Sequence, residues 1–166
     1  MPTSTPNSGA PVSPSQGRQL APEVIDAVQQ ALSAEHAAVW TCSLATAFLQ
    51  QDNLAAANDG ATAHRARRDA TERLLRDVGA TPRPAEPAYL PPDGQKPVSD
   101  AASAIAMLAA AETDGAHAWH GVLERTDDGD LRRTALDALT NCAVRAARWR
   151  RTGGIAPFAV PLPGRS

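Results

Sequence analysis

Four stretches of the chain place apolar residues at alternating steps of three and four, the spacing that lines one face of an α-helix. The first begins at Pro22, a residue suited to the first helical position, and carries Ile25, Val28, Leu32, Glu35, Val39, Cys42, Thr46 and Leu49. The second reads Leu54, Ala57, Ala61, His64, Arg68, Thr71, Leu75 and Val78, with Asp52 as its expected cap and Gly79 as its stop. The third, capped by Ser99, carries Ala101, Ile105, Leu108, Glu112, Ala116, Trp119 and Leu123. The fourth starts near Asp130 and follows Leu131, Ala135, Leu139, Cys142, Ala146 and Trp149 to Gly153 and Gly154. The pattern predicts helices over about 22–50, 53–78, 99–125 and 130–151, an all-α bundle spanning 22–152.

Three of the four stripes are broken at mid-length by a polar residue: Glu35, His64 and Glu112. The fourth contains neither carboxylate nor histidine there. On either side of the bundle lie two different tails. Residues 1–21 are rich in Pro, Ser, Thr and Gly without a basic start or an apolar run, which predicts a disordered tail and neither a signal peptide nor a membrane anchor. Residues 153–166 carry Ile155, Phe158, Val160 and Leu162 among three prolines, so this closing segment is expected to be ordered, non-helical and laid against the bundle.

Loop lengths constrain the topology. The first and second helices are joined by a few residues, as are the third and fourth, so each pair is expected to form an antiparallel hairpin. The connection from Gly79 to Val98 is about twenty residues long and holds six prolines. At ~3.1 Å per residue it spans up to ~60 Å, whereas a helix of about 26 residues is only ~39 Å long. It can therefore run the whole bundle length, with the third helix starting from the same end as the first, the single long crossover of ferritin-like folds. An up-down-up-down bundle with a floppy proline-rich loop is the competing topology. Tyr89 and Leu90, which could pin the crossover to the bundle, favour the first.

Composition narrows the function classes. Apolar residues make up 43% of the chain and aromatics only 4%, so the core must be built from alanine, leucine and valine. The formal charge is −2, with both signs mixed along the helices, which gives no footprint for nucleic acid or a membrane. Cys42 and Cys142 sit in apolar helical patterns, where a free thiol behaves as a small hydrophobe, and a reduced, cytoplasmic setting is expected. Gly60, Gly115 and Gly121 inside helices imply close helix contact, with a homodimer or another helical partner as one way to supply it.

The candidate chemistry lies at mid-bundle. A ferritin-like di-metal site takes one Glu from each of two helices and an E-x-x-H pair from each of the other two. Glu35 and Glu112 stand where the lone glutamates belong, and His64 where the second helix's histidine belongs. Ala61 occupies the place of that helix's Glu, and the fourth helix offers Cys142 and Arg145 instead of E-x-x-H. With half the set missing, an active di-iron ferroxidase or oxygenase is not expected, and no catalytic residue is assigned.

Two readings of the centre remain. Arg68 and Arg145 can supply the positive charge that metals would supply, giving a buried network of Glu35, Arg68, Glu112 and Arg145 and no cofactor. Alternatively Glu35, His64 and Glu112 hold a single iron or manganese ion, as a metal-binding protein or redox enzyme. A small ligand bound through Arg68 and Arg145 is a third possibility. His117 and His120, three apart, read more simply as a solvated face than as a surface metal site. Trp40, Trp119 and Trp149 read as packing residues.

Ala34, Glu35, His36 and Ala37; His64, Arg65, Arg68 and Asp69; Gly79, Ala80, Pro82, Ala88 and Tyr89; and Ala146, Trp149 and Arg150 together resemble an actinobacterial ferritin-like domain family of unknown function. The resemblance covers roughly residues 24–164. It implies the four-helix fold and no established activity.

Overall fold

The computed structural model describes residues 19–89 and 97–165. Four helices account for most of them: α1 (Pro22–Ala45), α2 (Gln51–Asp77), α3 (Ala101–Arg125) and α4 (Gly129–Thr152). No strand occurs among the described residues, and none of these helices is long and apolar enough to cross a membrane. Residues 1–18 of the expected N-terminal tail and Leu90 lie outside the described residues. Leu20, just before α1, already packs on the core.

Helix boundaries follow local hydrogen bonding more than the stripes. α1 stops at Ala45 rather than near Gln50, because the chain tightens into turns in which Thr46 Oγ1 donates to Ser43 O (2.7 Å) and Phe48 N to Ala45 O (2.9 Å). A side-chain hydroxyl that bonds the backbone this way competes with helix continuation. Asp52, expected to cap α2, lies inside its first turn, and Gln50 holds the cap position without a side-chain bond. α3 is capped by Asp100, not Ser99: Asp100 Oδ1 accepts from Ser103 N (2.8 Å) and Ser103 Oγ accepts from Asp100 N (3.1 Å), a reciprocal capping box. Asp128 caps α4 by accepting from Leu131 N (2.8 Å).

Two apolar clusters fill the bundle, and which residues share them fixes the helix directions. One joins Val24, Val28 and Leu32 of α1 with Leu75 near the end of α2, Trp119 and Val122 near the end of α3, and Leu131 and Ala135 at the start of α4. The other joins Cys42 and Ala45 at the end of α1 with Ala57 and Ala61 early in α2, Ile105 and Leu108 early in α3, and Trp149 late in α4. Hence α1 is antiparallel to both α2 and α3, and α2 and α3 are parallel. The closest helix pairs are α1 with α2, α1 with α3, and α3 with α4.

The long crossover is therefore real, but the expected placement of α3 is corrected. α3 begins at the end where α2 begins, opposite the start of α1. The reason is geometric: a chain that leaves α2 beside the start of α1 and then travels the bundle length must arrive at the other end. Its path is anchored along α1. Gln29 Nε2 donates to Thr81 O (2.8 Å), and its Oε1 accepts from Arg83 N (2.9 Å). Further along, Tyr89 packs its ring against Trp40 at 5.9 Å between centroids. From Gln29 to Trp40 the crossover climbs ~16 Å of α1 at the helical rise of ~1.5 Å per residue.

The closing segment runs beside α3. Gly164, at φ +85°, approaches α3 so closely that an added Cβ would stand 2.9 Å from Ala116 O, which only glycine permits. Its large side chains are not buried, however. Phe158, Val160 and Leu162 are 46%, 40% and 65% exposed, and only Ile155 among its large apolar residues is half-buried.

Candidate functional site

Between the two apolar clusters lies one polar layer. Glu35 projects from α1, His64 from α2 and Glu112 from α3, and all three are buried. The imidazole stands between the carboxylates: His64 Nδ1 donates to Glu35 Oε2 across 2.7 Å, and Nε2 lies 3.2 Å from Glu112 Oε1. The second contact is at ion-pair distance without hydrogen-bond geometry, and Nε2 and both Glu112 oxygens have no hydrogen-bond partner. The other oxygen of Glu35 accepts twice, from Arg67 Nε (2.9 Å) and from Trp119 Nε1 (2.7 Å). Arg67 Nη2 also lies 3.1 Å from His64 Nδ1, but that nitrogen gives its proton to Glu35, so the contact is an approach of two donors.

The environment shifts both members of the Glu35 and His64 pair toward their charged forms. Burial alone would raise the Glu35 carboxyl, yet the His64 bond, the Arg67 charge and the Trp119 bond outweigh it and hold the carboxyl below its ordinary range. For His64, burial pushes the other way, and the Glu112 and Glu35 carboxylates on its two sides overcome it, so its pKa is raised. Both shifts favour an ion pair between Glu35 and His64, with Arg67 as a second cation on Glu35.

The two cysteines, a hundred residues apart in sequence, converge on this layer and are free. Burial first, then the Glu112 charge, pushes the Cys42 thiol up to about 12. Burial likewise pushes Cys142 up, with Glu112 adding to it. Both are protonated thiols at neutral pH. Gly115 makes room for one of them: a Cβ there would meet Cys142 Sγ at 3.0 Å. The close α3 to α4 contact anticipated from glycines in the helices is found here. Gly121 has no such neighbour, only the end of the Arg125 side chain.

The expected trio Glu35, His64 and Glu112 is thus brought together, but the expected arginines are not. Arg68 turns outward and pairs with Asp69 (2.7 Å), both partly exposed. Arg145 makes no ion pair with either glutamate among the described residues, although its charge reaches the Cys42 thiol. The cation on Glu35 is Arg67. Positions 67 and 68 both continue the stripe from His64 to Thr71 in steps of three and four, so spacing alone does not choose between them. The rotation of α2 about its own axis does, since Arg67 reaches Glu35 and Arg68 does not. Trp119, read as packing, also belongs to the site, and its lone indole donor beside a buried acid at mid-bundle was the available signal.

Among the described residues, no group of three or more His, Cys, Asp and Glu side chains is placed to hold a metal ion. The imidazole presents opposite nitrogens to the two carboxylates, so Glu35 and Glu112 cannot both join His64 on one ion as arranged. His36, which neighbours Glu35 in sequence, faces the α2 edge, with Nε2 3.9 Å from Glu72. His117 is exposed, and His120 lies 3.6 Å from Glu124, consistent with a surface face.

The sequence profile of a family described as Domain of unknown function (DUF4439) matches residues 27–166. Among solved structures, the chain is similar to the crystal structure of a conserved hypothetical protein, rv2844, from Mycobacterium tuberculosis. The two are 33% identical, the match covers 85% of this chain and 97% of that one, and the TM-score is 0.75. No curated protein matches the chain.

Proposed function

The chain belongs to the DUF4439 family, whose function is unknown, and from the geometry of its centre we propose a ferritin-like bundle in which protein cations hold the carboxylates that metal ions hold in di-metal members of that fold group. On this reading it is a binding or scaffold protein and not a di-iron ferroxidase. The ferritin-like assignment is supported by the long crossover and by a glutamate from each of α1 and α3 meeting a histidine of α2 at mid-bundle. The observation that carries the functional reading is His64 set between Glu35 and Glu112, with Arg67 on the remaining oxygen of Glu35. Breaking such a buried network is costly, so it specifies the packing of the layer without performing chemistry.

Exposed Leu136 and Val144 on α4 and Phe158 beyond it support the expected association with a second copy or another helical partner. The test of the central reading is anaerobic titration of the purified protein with Fe(II) and Mn(II), followed by elemental analysis. No stoichiometric metal is expected. Tight binding that disappears in Glu112→Ala would overturn the proposal.

A second reading is favoured by one specific observation, the unpartnered half of the layer. His64 Nε2 and both Glu112 oxygens are buried without hydrogen bonds, and Glu35 fixes the imidazole tautomer from behind, as a carboxylate commonly does for a metal-bound histidine. A mononuclear iron or manganese site would then use His64 and Glu112 as ligands, with Glu35 as the orienting acid. The same titration decides, since this reading requires metal uptake that His64→Ala removes.

A further inference from the structure

Beyond the end of α4 the chain turns back and leaves a hollow of ≈ 250 Å³, open on one side, between itself, α3 and α4. Ala116 of α3, Val144 and Ala147 of α4, and Phe158, Val160 and Pro163 of the closing segment line it. The segment is pinned at both ends, which holds the hollow open. At the near end Ile155 N donates to Arg150 O (2.8 Å) and Arg150 Nη1 to Pro157 O (3.3 Å), and at the far end Gly164 lies against Ala116 and His120. Val144, Phe158 and Val160 are left about half exposed around this one space. Apolar side chains grouped around a preformed concave space, unlike single ones scattered over a surface, mark a binding site.

The polar groups of the wall decide what binds. They are Thr113, His117 and Arg150, and no acidic residue lines the hollow. Arg150 is half-buried and, among the described residues, has no ion pair. Its contacts with Pro157 O and, through Nη2, with Thr113 Oγ1 (3.5 Å) are long and go to neutral acceptors. They orient the guanidinium without neutralising it, and they leave most of its five N–H donors free. Asp114, the nearest acid along α3, interacts with His117 instead.

We propose that this hollow binds a small monocarboxylate with an apolar body, the body against Ala147 and Phe158 and the carboxylate on Arg150. A planar carboxylate matches one guanidinium fork, and its single charge matches a single cation. A dianion would leave a charge uncompensated beside an apolar wall. The volume is below the ~300–1,000 Å³ of pockets for drug-sized ligands, which selects a short chain. A second copy laid on α4 would cover Val144 and the neighbouring Leu136 without using Arg150. The site is separate from the central layer and does not depend on whether that layer holds a metal.

The test is calorimetric titration of the full chain with octanoate and, in parallel, with octan-1-ol, which has the same chain and no charge. Saturable octanoate binding is expected, about tenfold tighter than that of octanol. Arg150→Met should remove this preference and leave octanol binding unchanged, Arg150→Lys should keep part of it, and Ala147→Trp, which fills the hollow, should abolish both. The comparison of the two ligands on the wild type requires no variant to fold. Absence of saturable octanoate binding, equal binding of the two ligands, or a preference that survives in Arg150→Met overturns the proposal. A dimer in sedimentation that Ala147→Trp dissociates, found without octanoate binding, also overturns it and assigns the face to a second copy.

Discussion

Arg67 donates from Nε to Glu35 Oε1 across 2.9 Å, while Arg68, the next residue, turns outward to Asp69. Adjacent helical positions differ by about 100° around the axis, enough to put one guanidinium on Glu35 and to leave the other at the partly exposed edge of α2. Removing Arg67 leaves a buried carboxylate facing one cation fewer. Arg67→Met is expected to destabilise the fold by ~3–5 kcal/mol, and Arg68→Met by no more than ~1 kcal/mol. Urea denaturation of both variants measures this, and equal losses would contradict the assignment.

Trp119 holds the same oxygen of Glu35 through its indole nitrogen. Trp119→Phe keeps an aromatic ring in the core but removes a hydrogen bond to a charged acceptor. A loss of at least ~1.5–3 kcal/mol is expected in denaturant unfolding. In a Glu35→Gln background the loss should shrink, because the acceptor is no longer charged.

The pKa directions define a window of stability. Glu35 is lowered in the folded state, so its contribution is complete above the ordinary carboxyl value of 4.5 and is lost as pH falls through the depressed folded value. His64 is raised, so its contribution is complete below the ordinary 6.5 and is lost as pH rises through the elevated folded value. Together they favour the interval between those ordinary values. Unfolding midpoints measured against pH should decline on the alkaline side in the wild type and decline less in His64→Gln. A parallel decline in the two proteins would remove His64 as the cause.

Both thiols are buried and protonated, Cys42 with its pKa pushed up to about 12. The thiolate is the reactive species. Labelling with a thiol reagent at neutral pH is therefore expected to be slow in the native protein and to reach both cysteines once guanidinium unfolds it. Rapid labelling of the native state would show that the layer opens to solvent.

Gly115 can be tested for its packing role. In an open helix, Gly→Ala stabilises by ~1 kcal/mol. Here the new Cβ would stand 3.0 Å from Cys142 Sγ, and overpacking of this kind costs ~1–3 kcal/mol. Gly115→Ala alone is expected to be neutral or destabilising. In a Cys142→Ala background the same change should stabilise, and a double-mutant cycle reads the coupling directly.

The stripes predicted all four helices, yet they placed the buried face of α1 only in part. Val28, Leu32, Glu35 and Cys42 are buried as expected, whereas Ile25 and Val39 sit at the edge, and Ala31, Ala38 and Ala45 fill the contact instead. Alanine is a weak signal because it is helix-forming and common on either face. In this aromatic-poor chain it is also the main material of close helix packing. The caps were missed by one or two residues for a different reason: Ser99 and Asp100 are both good caps, and only the bond to Ser103 selects one.

What the sequence determined by itself was the all-helical bundle, the length of its crossover, and the meeting of Glu35, His64 and Glu112 at mid-height, because periodicity and loop length follow from local geometry. The tertiary structure alone decided that α3 runs antiparallel to α1, that Arg67 and Trp119 hold Glu35, and that Arg145 pairs with neither glutamate. Those facts depend on the rotation of each helix about its axis and the spacing between helices. Both are set by how small side chains interlock across the whole core.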